Sequence, residues 1–138
     1  MIVVDTNVVI KWAVPEPGTE AALALLGGPM IAPDVLVVEL GHVLTKKVRR
    51  RELEAEVANA AFIRIPSQLT LTNSRALDMR AFELSISMHH GIHDCYFLAL
   101  AESAETILLT ADAVLVAKAK QSGLGRSIRQ LGDPSPND

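Results

Sequence analysis

Four acidic residues of this sequence occupy positions where a carboxylate could take part in chemistry. Asp5 and Asp112 each follow a short apolar run typical of a buried strand, and Asp94 lies in the first turn of an apolar helix. Glu39 falls inside the apolar arc of another predicted helix, where an unpaired acid is unfavourable. Each acid also has a structural interpretation, because Asp is a good helix N-cap and the apolar arc around Glu39 could be wider than the buried stripe.

Together the four acids predict a particular kind of chemistry. If they converge, their like charges repel one another unless divalent cations neutralise them. A site made only of oxygen ligands favours the hard cations Mg²⁺ and Mn²⁺ over zinc. Such a pocket can activate a water molecule and stabilise an in-line displacement at phosphorus.

The segments that carry these acids alternate between strands and helices, which predicts an α/β fold with a mostly parallel central sheet. Strands are predicted at residues 2–4, 30–32, 69–71, 106–109 and 128–131. Helices are predicted at residues 8–12, 19–26, 34–50, 52–65, 74–90, 92–103 and 113–121. Pro66 and Gly91 are expected to end the helices that precede them. The residues of the helix at 74–90 that we expect to face the core are Leu77, Phe82, Leu84, Ile86 and Met88.

Length and composition narrow the class of protein. The chain has 138 residues, of which 49% are hydrophobic, so it can bury the core of one ordinary domain. The net charge of −3 excludes a wholly basic nucleic-acid-binding surface but permits a local basic patch. A single cysteine, Cys95, cannot form an intrachain disulfide, and neither a signal peptide nor a membrane span is evident. We therefore expect a cytoplasmic protein without membrane contact, with a domain at residues 1–132 and a polar tail at residues 133–138.

A basic run follows the predicted helix that carries Glu39. Its five cations are Lys46, Lys47, Arg49, Arg50 and Arg51. A run of this kind is usually a solvated helix end, where cations also suit the helix dipole. It could instead contact the phosphate backbone of a nucleic acid, and the sequence leaves both interpretations open.

Three histidines close to Asp94 raise the question of zinc. His89 and His93 have the i, i+4 spacing of helical zinc ligands, but Gly91 interrupts the helix between them. No cysteine or paired acid completes a tetrahedral set. We therefore interpret His89, His90 and His93 as the polar end of a helix, and leave open whether one of them transfers a proton or contacts phosphate.

Several short motifs together resemble the PIN domain family, and most closely the VapC-type toxins of bacterial toxin–antitoxin pairs. The motifs are Val4-Asp5-Thr6-Asn7-Val8-Val9, Pro33-Asp34 with Glu39 in the following helix, Gly91-Ile92-His93-Asp94-Cys95-Tyr96, and Leu109-Thr110-Ala111-Asp112. Each motif is short, but their order and spacing are specific and span essentially residues 1–132. Cys95 departs from the family pattern, which more often has a small residue such as Ala there, and we interpret it as a packing residue.

The resemblance implies a three-layer α/β/α sandwich and metal-dependent ribonuclease activity. The catalytic acids that it implies are Asp5, Glu39, Asp94 and Asp112. The implied ligands of Mg²⁺ or Mn²⁺ are Asp5, Asp94 and Asp112. The polar residues that would support the site through hydrogen bonds are Thr6, Asn7 and Thr110. The expected partners are an RNA substrate, contacted by the basic run, a cognate antitoxin protein and a second copy of the chain. The alternative is a non-catalytic PIN-like or receiver-like module that binds Mg²⁺ and acts through protein partners.

Overall fold

A computed structural model describes residues 1–134 of the chain. Its strands are β1 (Ile2–Val4), β2 (Met30–Pro33), β3 (Thr70–Thr72), β4 (Leu108–Thr110) and β5 (Ile128–Gln130). They form one five-stranded sheet in the order β3-β2-β1-β4-β5, and every neighbouring pair is parallel. The predicted α/β class is therefore confirmed, with a sheet that is parallel throughout the described residues.

Seven α-helices flank this sheet in the described part of the chain. They are α1 (Thr6–Val9), α2 (Thr19–Leu23), α3 (Val35–Arg49), α4 (Ala55–Ser67), α5 (Asp78–Met88), α6 (Ile92–Ser103) and α7 (Ala113–Gln121). Because crossover connections between parallel strands are right-handed, the helices before β3 and those after it cover opposite faces of the sheet. This arrangement is the three-layer sandwich that the resemblance implied.

The sheet brings two of the acids to one edge. β1 lies between β2 and β4, and its residues Val3 and Val4 are completely buried, as expected for a central strand covered on both faces. Asp5 follows β1, and its N–H donates to the carbonyl of Leu109 in β4 at 3.0 Å. Asp112 lies shortly beyond the end of β4. Asp5 and Asp112 therefore leave adjacent strands at the carboxyl edge, where ligands bind to open α/β sheets.

Helix α6 is the central helix of the core, as its uniformly apolar sequence predicts. It contacts β1, β2 and β4, and its residues Phe97, Leu98 and Ala101 are fully buried. Cys95 is also fully buried, which agrees with a packing role. Across residues 1–134, none of the helices is both long and apolar enough to pass through a bilayer.

Helix α5 packs differently from its prediction. Phe82 and Ile86 were predicted to face the core, and this is wrong, because 52% and 60% of their surfaces are exposed. The buried stripe consists of Ala81, Leu84 and Met88, together with Leu77 just before the helix. The prediction selected the large apolar residues and overlooked Ala81, which completes the helical spacing of the buried face.

Two predicted helix ends are also wrong. α4 continues through Pro66 to Ser67, because a proline in the last turn of a helix removes only one backbone hydrogen bond. α5 ends at Met88, and the left-handed residue after it is His89, with φ of 50°, whereas Gly91 has φ of −55°. Histidine adopts positive φ more readily than most residues, so this turn needs no glycine at that position.

Candidate active site

Asp5 lies at the centre of the candidate site. It is 1% exposed, and the Thr110 hydroxyl donates a hydrogen bond to Asp5 Oδ2 at 2.9 Å. Asn7 Nδ2 donates to Thr110 Oγ1 at 3.2 Å, and Asn7 Oδ1 accepts from the N–H of Ala111 at 3.0 Å. These bonds join the end of β1 to the end of β4. Asp5 occupies the N-cap position of α1, yet its side chain makes no capping hydrogen bond, so the capping interpretation does not account for it.

Glu39 is held at the same edge by the first turn of α1. The Thr6 hydroxyl donates to Glu39 Oε2 at 2.7 Å. The start of α3 is anchored in turn, because Asp34 Oδ1 accepts from both the N–H and the hydroxyl of Ser74, and Ser74 Oγ accepts from the N–H of Val35 at 3.2 Å. Glu39 therefore faces a polar partner at the edge of the sheet.

Asp112 has two roles in the structure. Its Oδ1 caps α7 by accepting from the N–H groups of Val114 at 2.9 Å and Leu115 at 3.1 Å. Its Oδ2 lies 3.9 Å from Nε2 of His90. Its own N–H donates to Thr110 Oγ1 at 3.1 Å. The capping interpretation is thus right for one oxygen and leaves the other facing the site.

Asp94 meets Asp112 beside His90. Asp94 Oδ2 lies 2.6 Å from Nε2 of His90, and the Asp94 side chain retains 29% of its exposure. One ligand atom from each of His90, Asp94 and Asp112 lies within 4.8 Å of the others. The predicted acids Asp94 and Asp112 are therefore brought together around a histidine that the sequence did not distinguish from its neighbours.

The acids perturb one another's ionisation. The pKa of Asp5 is raised to about 8, first by burial and then by the charge of Asp94. The hydrogen bond from Thr110 opposes this rise, and the charge of Glu39 adds to it. The pKa of Glu39 is also raised, mainly by burial, and the charge of Asp94 adds to that rise. Asp5, Glu39 and Asp94 therefore lie within electrostatic reach of one another.

These residues fit a hard divalent cation. The charged form of Asp5 is destabilised by burial and by two neighbouring carboxylates, which is the situation that a bound cation relieves. Asp94 and Asp112 add carboxylate oxygens that remain partly open to solvent, and oxygen is the ligand that Mg²⁺ and Mn²⁺ prefer. Of these acids, Asp94 and Asp112 lie with His90 in a cluster, the candidate metal group, whose ligand atoms are close enough together to hold a metal ion.

The predicted basic run lies at the carboxyl end of α3, away from the start of that helix. Lys47 forms an ion pair with Glu52 at 3.7 Å, and Arg49 lines a groove between α3 and α4. The remaining members of the run, Lys46, Arg50 and Arg51, are exposed. His89 and His93, the pair with helical spacing, are exposed too and do not belong to the candidate metal group.

Two further residues lie beside the acids: Lys118, which was missed from the sequence, and His90, whose participation the sequence left open together with that of His89 and His93. Lys118 in α7 lies with Nζ 3.3 Å from Nδ1 of His90, and it donates to the carbonyl of His89 at 2.8 Å. The available signal for His90 was its i, i+4 spacing to Asp94, whereas only the spacing of His89 and His93 was considered. No feature of the sequence indicates that Lys118 lies near the acids, because the sequence does not show which side chain of α7 reaches the turn before α6.

The PIN domain family profile matches residues 2–121. The chain belongs to the PIN domain family. The resemblance that the motifs carried is thereby confirmed, and the matched residues contain all four acids.

Individual relatives agree with this assignment. Ribonuclease VapC1 of Mycobacterium tuberculosis is 32% identical over 88 residues, which cover 62% of this chain and 65% of that protein. The chain thus spans just under two thirds of the length of the curated relatives that it matches. PAE2754 from Pyrobaculum aerophilum has a TM-score of 0.71 at 19% identity, over 94% of this chain and 83% of that chain. A toxin–antitoxin complex from Klebsiella pneumoniae contains a chain with a TM-score of 0.65 at 15% identity, over 97% of this chain and 100% of that chain. At these identities the two structures support the fold.

Proposed function

We propose that the protein is a divalent-metal-dependent endoribonuclease that cleaves RNA phosphodiester bonds, acting as the toxin of a type II toxin–antitoxin pair. The observation that carries the proposal is the placement of Asp5, Glu39, Asp94 and Asp112 around one edge of the sheet. Membership of the PIN domain family and the similarity to Ribonuclease VapC1 support the same chemistry. A reducing cytoplasm, where a single buried thiol is stable, is the proposed location.

The side chains of the site have different roles in the proposed reaction. Asp5, Asp94 and Asp112 would hold Mg²⁺ or Mn²⁺, which when bound activates water and stabilises the negative charge that develops at phosphorus. Thr110 and Asn7 hold the Asp5 carboxyl group in one orientation. Thr6 orients Glu39, and the raised pKa of Glu39 suits it to accept a proton from attacking water.

Substitution of the acids tests the proposal. The wild-type protein should cleave single-stranded or loop RNA with Mg²⁺ or Mn²⁺ and stop when a chelator is added. Asp5→Asn and Asp94→Asn should each lower the rate by at least about 100-fold while the far-UV circular dichroism spectrum is kept. Asp133→Asn, at an exposed acid outside the site, is the matched control. Full activity in chelator or in either site variant would contradict the proposal and favour a non-catalytic PIN-like module.

A cognate antitoxin is the proposed protein partner. The fold similarity to a chain of a toxin–antitoxin complex supports it. A groove of about 560 Å³ between α3 and α4, lined in part by Leu44, Ala58 and Phe62, offers an apolar surface for a helix of that partner. Phe62 is 42% exposed, so Phe62→Glu should abolish co-purification with the product of a neighbouring small reading frame while RNA cleavage by the toxin alone is kept. An intact complex with Phe62→Glu would place the antitoxin elsewhere.

A further inference from the structure

We propose that His90 and Lys118 are positioning residues of the site, forming a hydrogen-bonded chain from Lys118 through His90 to Asp94 that holds the Asp94 carboxylate in its metal-binding orientation. This inference deepens the proposed function and rests on it. Neither residue touches the scissile phosphate in this proposal, since both act through Asp94.

The turn between α5 and α6 holds His90 firmly in place. Its backbone N–H donates to the carbonyl of Ser85 at 3.2 Å, and the Ser85 hydroxyl donates back to the carbonyl of His90 at 2.6 Å. The preceding residue, His89, has left-handed backbone geometry, which directs the chain back toward the sheet edge. The His90 side chain is 11% exposed, so the imidazole is packed into the site wall and does not move freely in solvent.

Lys118 determines which ring nitrogen of His90 carries the proton. Its Nζ lies 3.3 Å from His90 Nδ1 and is also held by the carbonyl of His89 at 2.8 Å. A lysine ammonium group can only donate, so Nδ1 must accept. In neutral imidazole the proton then lies on Nε2, and Nε2 donates to Asp94 Oδ2 at 2.6 Å. A protonated Nε2 has no lone pair for a metal, so His90 orients Asp94 and is not itself a ligand.

As a consequence, the Asp94 carboxylate is held in a fixed orientation. With Oδ2 of Asp94 engaged by His90, its other oxygen is left for a cation that Asp5 and Asp112 would also hold. Partners that orient a metal-ligating carboxylate commonly account for about 10- to 100-fold in metal affinity. The positive charge of Lys118 would by itself disfavour a cation nearby, so its support of metal binding acts through the orientation of His90 and Asp94.

The test measures metal affinity, independently of RNA cleavage. Mn²⁺ binding to the full chain is followed by the electron paramagnetic resonance signal of free Mn²⁺. His90→Phe should weaken Mn²⁺ binding by about 10- to 100-fold. His90→Gln, whose amide can still donate to Asp94, should restore part of the affinity. His89→Asn, an exposed position where Asn tolerates the left-handed geometry, is the control and should bind Mn²⁺ as the wild type does.

Lys118→Met removes the donor to Nδ1 and should weaken Mn²⁺ binding as well, while Lys118→Arg should retain it. This pair keeps the inference testable if His90→Phe does not fold. Unchanged Mn²⁺ affinity in both His90→Phe and Lys118→Met would overturn the inference while leaving the nuclease proposal intact. A nitrogen-14 coupling to bound Mn²⁺ that disappears in His90→Phe would make His90 a ligand and also overturn it. A wild-type protein that binds Mn²⁺ but leaves RNA uncut would instead overturn the proposed function.

Discussion

The charged form of the Asp5 carboxylate is stabilised by one hydroxyl group, and it is destabilised by burial and by two neighbouring acids. Thr110 donates to Asp5 Oδ2 at 2.9 Å, and the pKa of Asp5 is nevertheless raised to about 8. An acid whose pKa lies so far above its usual range takes up a proton when the protein folds. The stability of the cation-free protein should therefore depend on pH in a defined direction.

We expect the cation-free protein to become less stable as the pH rises from about 4 to about 8. Over this range the folded state keeps Asp5 protonated while the unfolded state has released the proton, so raising the pH favours unfolding. One proton contributes a slope of at most about 1.4 kcal/mol per pH unit. Urea unfolding in chelator at several pH values measures it, and Asp5→Asn should flatten the curve. Wild-type stability that increases with pH over this range would contradict the raised pKa.

Thr110 connects three polar groups, so its loss should affect both stability and activity. Thr110→Val keeps the shape of the side chain but leaves Asp5, Asn7 and the N–H of Asp112 without their shared partner. We expect a loss of about 1–3 kcal/mol in the free energy of unfolding, together with weaker metal binding. Denaturant melts and Mn²⁺ titration measure the two effects. Thr106→Val, which removes a hydroxyl bonded to the carbonyl of Met1 outside the site, should leave metal binding unchanged.

The sequence identifies some site residues and hides others for a physical reason. Asp5 and Asp112 could be predicted to lie close together, because buried parallel strands end at a common edge. His90 was not distinguished from its neighbours despite its i, i+4 spacing to Asp94, because its position depends on His89 adopting a left-handed conformation, which local sequence favours only weakly. The assignment of catalytic and metal-binding roles to the four acids stays a prediction until the substitutions are made.

Among the helices, α3 carries Glu39 and the first three cations of the basic run, and Arg50 and Arg51 follow directly after its end. At about 100° and 1.5 Å per residue, Lys46 and Arg50 fall within about 20° of Glu39 and lie roughly 10 and 16 Å further along the axis. Lys47 and Arg49 face elsewhere, toward Glu52 and the groove against α4. An RNA backbone that passes the acids could therefore follow the face of α3 that carries Lys46 and Arg50.

Lys46→Gln combined with Arg50→Gln should weaken RNA binding to a similar extent for different sequences. Each lost phosphate contact should reduce the slope of log K against log salt by about 0.7, and the rate at saturating RNA should change little. Fluorescence anisotropy across a salt series measures the slope. Lys47→Gln combined with Arg49→Gln removes the same charge from the other faces and serves as the control. An unchanged salt slope in the variant with Lys46→Gln and Arg50→Gln would show that the basic run is a solvated helix end that does not contact RNA.

Helix packing shows where periodicity falls short as a predictor. In α5 the correct stripe depends on Ala81, a residue too small to mark a core position by its hydrophobicity. In α4 the rule that proline ends a helix failed at Pro66, since the last turn tolerates the missing donor. Long elements could thus be predicted, whereas their ends and their exact buried face depended on tertiary contacts.

At the level of the whole molecule, α5 leaves an apolar surface uncovered. Met79, Phe82 and Ile86 are 70%, 52% and 60% exposed and have the spacing of one helix face. Large side chains that form a contiguous exposed apolar patch are a feature of protein interaction sites. We therefore propose this stripe as the surface on which the second copy expected from the family resemblance packs.

We expect Phe82→Glu to convert a dimer into a monomer, because a buried unpaired carboxylate opposes apolar association. Sedimentation equilibrium of the wild type and the variant measures the change in mass. Ile63→Glu introduces the same charge at a residue of α4 that is 66% exposed, and it should leave the mass unchanged. A wild-type protein that sediments as a monomer, or a Phe82→Glu variant that remains dimeric, would contradict this interface.

Metal binding should stabilise the whole fold by mass action. Mg²⁺ at a hundredfold excess over its dissociation constant should raise the free energy of unfolding by roughly 2.7 kcal/mol. Asp94→Asn and Asp112→Asn relieve repulsion among the acids, so the cation-free variants should melt higher than the wild type and gain much less from Mg²⁺. Calorimetry with and without chelator measures both effects. Asp94→Ala and Asp112→Ala are measured as well. Asn is itself a good helix cap, so only the Ala variants reveal the loss of a capping hydrogen bond. If all these variants melt at lower temperatures than the cation-free wild type, and Mg²⁺ does not stabilise the wild type, Asp94 and Asp112 have a structural role and do not bind metal.

The strand order of the parallel sheet determines when the parts of the site can come together during synthesis of the chain. Asp5 and Glu39 leave the ribosome early, but Thr110, which supports Asp5, and Asp112 belong to the segment around β4, which follows much later. Until β4 inserts beside β1, the nascent polypeptide lacks both the hydrogen bond to Asp5 and one of the four carboxylates. If the chain is the ribonuclease toxin proposed above, this order of assembly keeps it inactive through most of its own translation, so its messenger RNA and its ribosome are spared.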